Sequence, residues 1–504
     1  MASDPPVLGI DFGTTNTAAA WCDEASKIHL VPVAAKRYTL PSIVWYGGGD
    51  RILVGEMARK QIADDPTHTI IGAKRFLGRR YNSEFVTKNK DRYVYPIIED
   101  DVGNAAVDIF GAPISFIDAA FEIIHRIVEL ANGAAGLEFE KVVLTVPAHF
   151  SYGQRKAVRT AAEMSGLDVR AVVNEPTAAA LYYAKHREAS DEVLVFDLGG
   201  GTFDATLLQV DRREVRVLAT GGDAFLGGHD FDSTIVDHLV NSFQDRHGID
   251  LRENKVVLQR LRSAAETAKI LLSKEDTAKI RVPFVAQNPS GGFLDLETVI
   301  TRDELEDLTE GLIERCLGIV EDVLKRGNRE PSQVGEVVFV GGQTRMPRIR
   351  DRLTDRFDTD PGKNVHPELG VAVGAAILGR TLGLPNGAAL IDVIPIPIGI
   401  MAAGIGSVEV LSQNSTIPCT ERTAVTRPPA GQPLMIAIYE AVDATSVDRD
   451  LLGTVRVPPE WLEENEGDLL LEMRMGHDFD LTLSILASEG GSARLELKPP
   501  PRNR

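Results

Sequence analysis

Cysteine is scarce in this chain: three in 504 residues, Cys22, Cys316 and Cys419, far apart and odd in number. That pattern excludes a disulfide framework and any metal site of CxxC spacing, so the thiols read as packed side chains in a reducing, cytoplasmic compartment. Positive charge is also short. The net charge of −19 works against a polyanionic partner, and no nucleic acid is expected, because such binding draws on clustered Lys and Arg. Long apolar runs are missing. The stretches 370–379 and 391–406 are too short, or too interrupted by Asp392, Pro395 and Pro397, for a bilayer span of about 20 residues, so no membrane association is expected. A charged and then apolar leader does not open the chain, and neither the G-x-x-x-x-G-K-[ST] loop nor a G-x-G-x-x-G fingerprint occurs in a suitable context.

What is present points to several domains. The length suggests roughly three to four domains' worth of sequence, and 43% hydrophobic with 25% charged residues is the balance of a chain that folds. From Val7 to about Leu384, apolar strand-like runs such as 142–146 and 193–196 alternate with helical periods such as 118–131, an α/β texture. From Val393 onward, short alternating runs at 434–439, 469–475, 479–485 and 494–498 predict an antiparallel β domain. The expected layout is therefore 1–384, a linker over 385–392, a β domain over 393–498 and a loose tail over 499–504.

Two turns echo each other within the α/β part. Asp11, Gly13, Thr14, Thr15, Asn16 and Thr17 follow one apolar strand; Asp197, Gly199, Gly200, Gly201, Thr202 and Asp204 follow another. Gly and Thr there let backbone N–H groups converge into an anion nest, and an Asp at the strand end suits a hydrated magnesium ion. A third glycine motif, Val337 to Pro347 (VVFVGGQTRMP), contains Gly341 and Gly342, which allow backbone to approach a flat ring. On the predicted helix 256–273, Arg262, Glu266, Lys269 and Ser273 share one face that could grip a ribose or simply meet solvent.

These turns, with VVLTVPAHF (142–150), NEPTAAA (174–180), GGHDFD (227–232) and VGGQTRMP, resemble the heat-shock protein 70 family of DnaK-type chaperones, in order from Val7 to Leu384 and more weakly beyond. The resemblance implies an actin-like (ribonuclease H-like) two-lobed ATPase domain followed by an all-β sandwich, with ATP/ADP and Mg2+ as cofactors. It implies catalytic roles for Lys74, Glu175, Asp197 and Thr202, and a magnesium shell of Asp11, Asp197 and Asp204, mainly through water. Nucleotide contacts would fall to Gly13, Thr14, Thr15, Asn16, Gly199, Gly200, Gly201, Gly227, Gly228, Glu266, Lys269, Ser273, Gly341, Gly342 and Arg345, with Ile270 as an apolar wall. Pro147 and Arg155 match the family's allosteric proline switch and relay arginine. Unfolded or extended polypeptide would be the partner, with a J-domain protein and a nucleotide exchange factor as helpers.

Three departures qualify these expectations. The linker carries fewer large apolar residues than the family's, which predicts weaker interdomain coupling; Ala171 stands where the family has an arginine that meets the J-domain; and the β domain of about 110 residues is not followed by a helical lid. The alternatives are a regulatory or scaffolding relative that switches on one folded partner, and an actin-like filament former or small-molecule kinase.

Overall fold

The computed structural model describes residues 6–185, 191–211, 214–288, 290–357, 366–382, 389–404, 406–441 and 449–498; the linker residues 385–388 and the tail 499–504 lie outside the described residues. The α/β part is built on two sheets with the same plan. In the first, the hairpin Leu8–Phe12/Asn16–Cys22 pairs in parallel with Lys141–Val146, which pairs in parallel with Asp168–Asn174. In the second, the hairpin Asp191–Leu198/Phe203–Val210 pairs in parallel with Glu336–Val340 and continues through Glu214–Asp223. Asp11 and Asp197 occupy equivalent places near the ends of the two leading strands, and the echo in the sequence is an echo in the fold.

Each sheet is covered by helices whose ends are specified locally. Phe116–Ala135 starts at a Ser115/Asp118 capping box, stops at Gly136 with φ of 69°, and buries Phe116, Ile123, Ile124 and Ile127. Each such side chain contributes roughly 1.5–3 kcal/mol of transfer free energy. Tyr152–Met164 and Arg302–Arg326 begin at capping boxes from Ser151 and Thr301. The helix Gly370–Thr381 lies against both Glu175–Ala184 and Leu8–Phe12 at distances only glycine permits: a Cβ on Gly374 would stand 1.7 Å from the Ala178 carbonyl oxygen, and one on Gly9 2.3 Å from the Ala376 nitrogen. Among the described residues no helix is long and apolar enough to cross a membrane.

The C-terminal part is a sandwich of two four-stranded sheets, Gly406–Leu411, Ile398–Ala402, Leu434–Ala441, Arg449–Val457 against Cys419–Val425, Glu466–Met475, Leu481–Glu489, Ser492–Leu495. Its core, including Ile394, Ile400, Ile438, Leu471 and Ile485, is separate from the α/β cores. The run expected as a strand over 479–485 begins later, at Leu481, because Phe479 turns the chain at φ of 58°.

The described end of the expected linker is not a free connector. Ala389–Ile391 forms a strand paired in parallel with Glu214–Arg216, adding a fifth strand to the second sheet. Beyond it Asp392 is buried and accepts hydrogen bonds from Asn174 (2.8 Å), Thr177 (3.3 Å) and its neighbour's Val393 N–H (2.8 Å). The sparse apolar content of this segment is offset by backbone pairing and a buried carboxylate, interactions that large side chains are not needed to make.

Candidate functional site

A cleft of about 680 Å³ lies between the two hairpin turns. It is lined by Asp11, Gly13, Thr14, Thr15, Asn16, Lys74, Glu175, Asp197, Gly199, Gly200, Thr202, Gly228, Glu266, Lys269, Ser273, Gly341, Gly342 and Arg345. Those are eighteen of the residues expected from sequence, drawn from opposite ends of the α/β part. The turns meet so closely that a Cβ on Gly200 would stand 1.8 Å from Thr15 Oγ1 and one on Gly201 2.6 Å from Thr14 Cγ2. Gly201 and Gly227 are stacked just behind the lining, where a Cβ on Gly227 would come within 2.7 Å of the Gly201 backbone.

Lys74 reaches the cleft because Gly72, in the left-handed region at φ of 67°, opens the short turn Ala73–Arg75 that aims the side chain inward. Its ammonium is 2% exposed, lies 5.6 and 5.5 Å from the ring centres of Phe12 and Phe150, and donates to Glu175 Oε1 at 2.5 Å. Glu175 opens the helix Glu175–Ala184 and is itself buried. The aromatic walls dry the pair, which strengthens its field and that of every other charge nearby.

Negative charge is in excess here. Burial pushes the Asp11 carboxyl up to about 7, with the Glu175 charge adding and Lys74 opposing. Asp197 is raised well above the usual carboxylate range by burial and then by the charges of Glu175, Asp204 and Asp11, and Glu175 is raised by burial against the pull of Lys74. Carboxylates that resist ionising in the bare protein fit a site completed by a cation. Among the described residues no three His, Cys, Asp or Glu side chains are gathered to hold a metal directly. A magnesium ion at Asp11 and Asp197 would therefore keep much of its water shell.

Asp204 is placed differently from its expected partners. It is 1% exposed, does not line the cleft, and accepts from the His149 backbone N–H (3.2 Å) and ring Nδ1 (2.8 Å). His149 was not singled out in the sequence, since a lone histidine after a strand carries no signal of its own. Other lining residues that sequence reasoning passed over are His229, Asp232, Gln343 and Glu368. Asp232 explains why Lys269 is fixed: the ammonium bridges Asp232 (2.8 Å) and the Gly228 carbonyl (2.7 Å) rather than standing free on a solvated face. Burial raises Asp232 to about 6, against the pull of Lys269. Ile270 is on the rim, 59% exposed, in place for a flat ring to cover.

Pro147 and Arg155 do not line the cleft. Arg155 is buried and donates to the carbonyls of Ala148 (2.9 Å) and Phe150 (3.1 Å) and to Asn174 Oδ1 (2.6 Å). Its guanidinium lies 4.0 Å from the centre of the Phe479 ring of the β sandwich, and burial lowers its pKa to about 10. Two further bonds cross the same boundary, from Tyr152 N–H to Glu440 (2.8 Å) and from Thr220 N–H to Asn414 Oδ1 (3.2 Å).

Two lobes on matched sheets, with a glycine-walled, acidic cleft between them and a β sandwich at their side, define the two-lobed actin-like fold joined to a β sandwich. A family model described as Hsp70 protein matches residues 7–458. The chain therefore belongs to the Hsp70 family, whose members are chaperone ATPases that bind ATP and ADP with magnesium.

Proposed function

We propose that this protein is a DnaK-like chaperone that hydrolyses ATP in the inter-lobe cleft and lets the nucleotide state govern how its β sandwich, 393–498, binds unfolded polypeptide segments. The observation that carries this reading is the sequence neighbour of Glu175. Asn174 accepts from Arg155 and donates to Asp392, so one side chain joins the floor of the cleft to the Phe479 contact and to the docked strand Ala389–Ile391.

Bound magnesium-ATP would supply the phosphoryl group and the charge neutralisation it needs. The chain's own part is electrostatic and positional. One Lys74 N–H is committed to Glu175, which leaves two donors for the terminal phosphate; the Glu175 carboxylate, oriented by that bond, accepts from and orients the attacking water. Thr202 lies opposite on the second turn, and Glu266, Lys269, Ser273, Gly342 and Arg345 hold the nucleoside end. Pro147 and Arg155 pass the state of the cleft to the sandwich.

On the sandwich, Met401 and Met435 are exposed apolar side chains on neighbouring strands, adaptable contacts for an extended apolar segment. Ala171 is buried while Arg170 faces outward beside Asp168, so the arginine of the family's J-domain contact has no counterpart at position 171 and the J-domain step is the weakest part of the family cycle in this chain. Unpaired Cys22, Cys316 and Cys419 suit a cytoplasmic setting, and a nucleotide exchange factor would complete the cycle. Fluorescence anisotropy of a labelled unfolded peptide tests the proposal: ATP should weaken binding relative to ADP. No binding in either state would favour a switch acting on one folded partner.

A further inference from the structure

A second basic residue, beside Lys74, joins the two lobes behind the lining of the cleft. Arg75 is 8% exposed, comes from the same short turn of the first lobe, and reaches the second lobe at two points. Its Nη2 donates to the Gly201 carbonyl at 2.7 Å and to Asp230 Oδ2 at 3.0 Å. That carboxylate oxygen also accepts from the Gly227 N–H at 3.1 Å, so one guanidinium ties together the second phosphate turn and the glycine turn stacked on it. The Arg75 backbone is itself held, its carbonyl accepting from Arg79 Nε at 3.0 Å. A Cβ on Gly201 would stand 2.8 Å from Arg75 Nε, so the fit depends on glycine as well as on arginine.

The consequence lies in peptide geometry. A trans peptide points its C=O and N–H in opposite directions, so fixing the Gly201 carbonyl on Arg75 fixes the Thr202 N–H pointing away from it. Arg75 does not line the cleft and Thr202 does, which puts that N–H on the cleft side of the turn. Without the arginine the Gly200-Gly201 peptides would be free to rotate, because glycine has little preference between conformations. We infer that Arg75 is a positioning residue that closes the two lobes and aims the Gly201–Thr202 peptide at the terminal phosphate, making the site discriminate ATP from ADP. A lysine could pair with Asp230 but lacks the planar fork that serves two acceptors at fixed angles.

This inference rests on the ATPase reading, and its test separates the two. ATP and ADP dissociation constants and single-turnover hydrolysis are measured for wild type, Arg75→Ala, Arg75→Lys and, as a surface control, Lys60→Ala. In Arg75→Ala, ADP affinity should change less than about threefold while ATP affinity and the hydrolysis step each fall roughly 10–100-fold, less than the roughly 100–1,000-fold of deleting a preorganised donor outright because the Thr202 N–H is misaimed and not removed. Arg75→Lys should recover only part of the loss, and added guanidinium ion should rescue Arg75→Ala but not Lys60→Ala. Wild-type ATP preference in Arg75→Ala, or equal loss of ATP and ADP affinity without rescue, overturns the inference. If wild type binds both nucleotides and hydrolyses neither, the ATPase proposal fails, and the ratio of the two affinities still decides the role of Arg75.

Discussion

Lys74 Nζ and Glu175 Oε1 stand 2.5 Å apart in a dry pocket walled by Phe12 and Phe150, joining residues 101 positions apart in the sequence. Removing one member of such a pair leaves the other as an uncompensated buried charge, at a cost of about 3–5 kcal/mol. Glu175→Gln should therefore be better tolerated than Lys74→Ala in thermal melts without nucleotide, since it keeps a neutral acceptor for the ammonium. The double variant should melt above Lys74→Ala alone. A double-mutant cycle with no coupling would show that the pair is not formed in solution.

Asp11 gives a pH dependence with a definite sign. Its carboxyl is held near 7 when folded against 3.8 as the reference, so the folded state binds the proton more tightly. For an acid shifted this way the stability contribution is present at low pH and is lost as pH rises through the folded value. Asp11→Asn should thus stabilise the nucleotide-free protein, and by roughly 2 kcal/mol more at about pH 8 than at about pH 5. Denaturant melts at the two pH values measure this. Equal gains at both would place Asp11 in a polar, solvated site.

The stack of Arg155 on Phe479 predicts a coupling defect without a binding defect. Phe479→Ala removes a contact of about 0.5–2 kcal/mol and keeps the Cβ at positive φ, so the backbone conformation and its strain are unchanged. ATP affinity should stay as it was, while amides of the docked strand Ala389–Ile391 exchange faster and the ATP-dependent change in peptide affinity shrinks. Hydrogen exchange of that segment is the check, and unchanged protection would mean that backbone pairing with Glu214–Arg216 and the Asp392 bonds hold the strand without the Phe479 contact.

Gly341 has φ of 84°, and a Cβ there would stand 2.2 Å from the Leu198 carbonyl oxygen, a backbone atom that cannot move aside. Gly341→Ala should cost more than about 3 kcal/mol, combining conformational strain with a clash at the junction of two strands. A circular-dichroism melt close to wild type would mean that the Gly341 turn relaxes in solution to make room for a Cβ.

How much of this was legible in the sequence follows the range of the interactions. The two Gly/Thr turns and the helices were readable because each is specified within about ten residues, by a strand, an Asp and a Gly/Thr turn, or by a capping box and an apolar period. Asp204 read as an equal of Asp11, yet its orientation depends on His149, 55 positions away, a contact no local pattern encodes. Ala389–Ile391 looked like a poor linker because parallel pairing with Glu214–Arg216 is a long-range backbone interaction. Phe479 looked like the start of a strand on apolar alternation alone; its backbone turns there and its ring covers Arg155 instead.

In the proposed cycle Lys74 serves hydrolysis and not nucleotide capture, since Glu266, Lys269 and Ser273 lie elsewhere along the same cleft. Single-turnover hydrolysis of magnesium-ATP by Lys74→Ala, alongside its ATP dissociation constant, separates the two roles. The predicted result is a hydrolysis rate at least about 100-fold below wild type with affinity within about tenfold. Hydrolysis at the wild-type rate would contradict it.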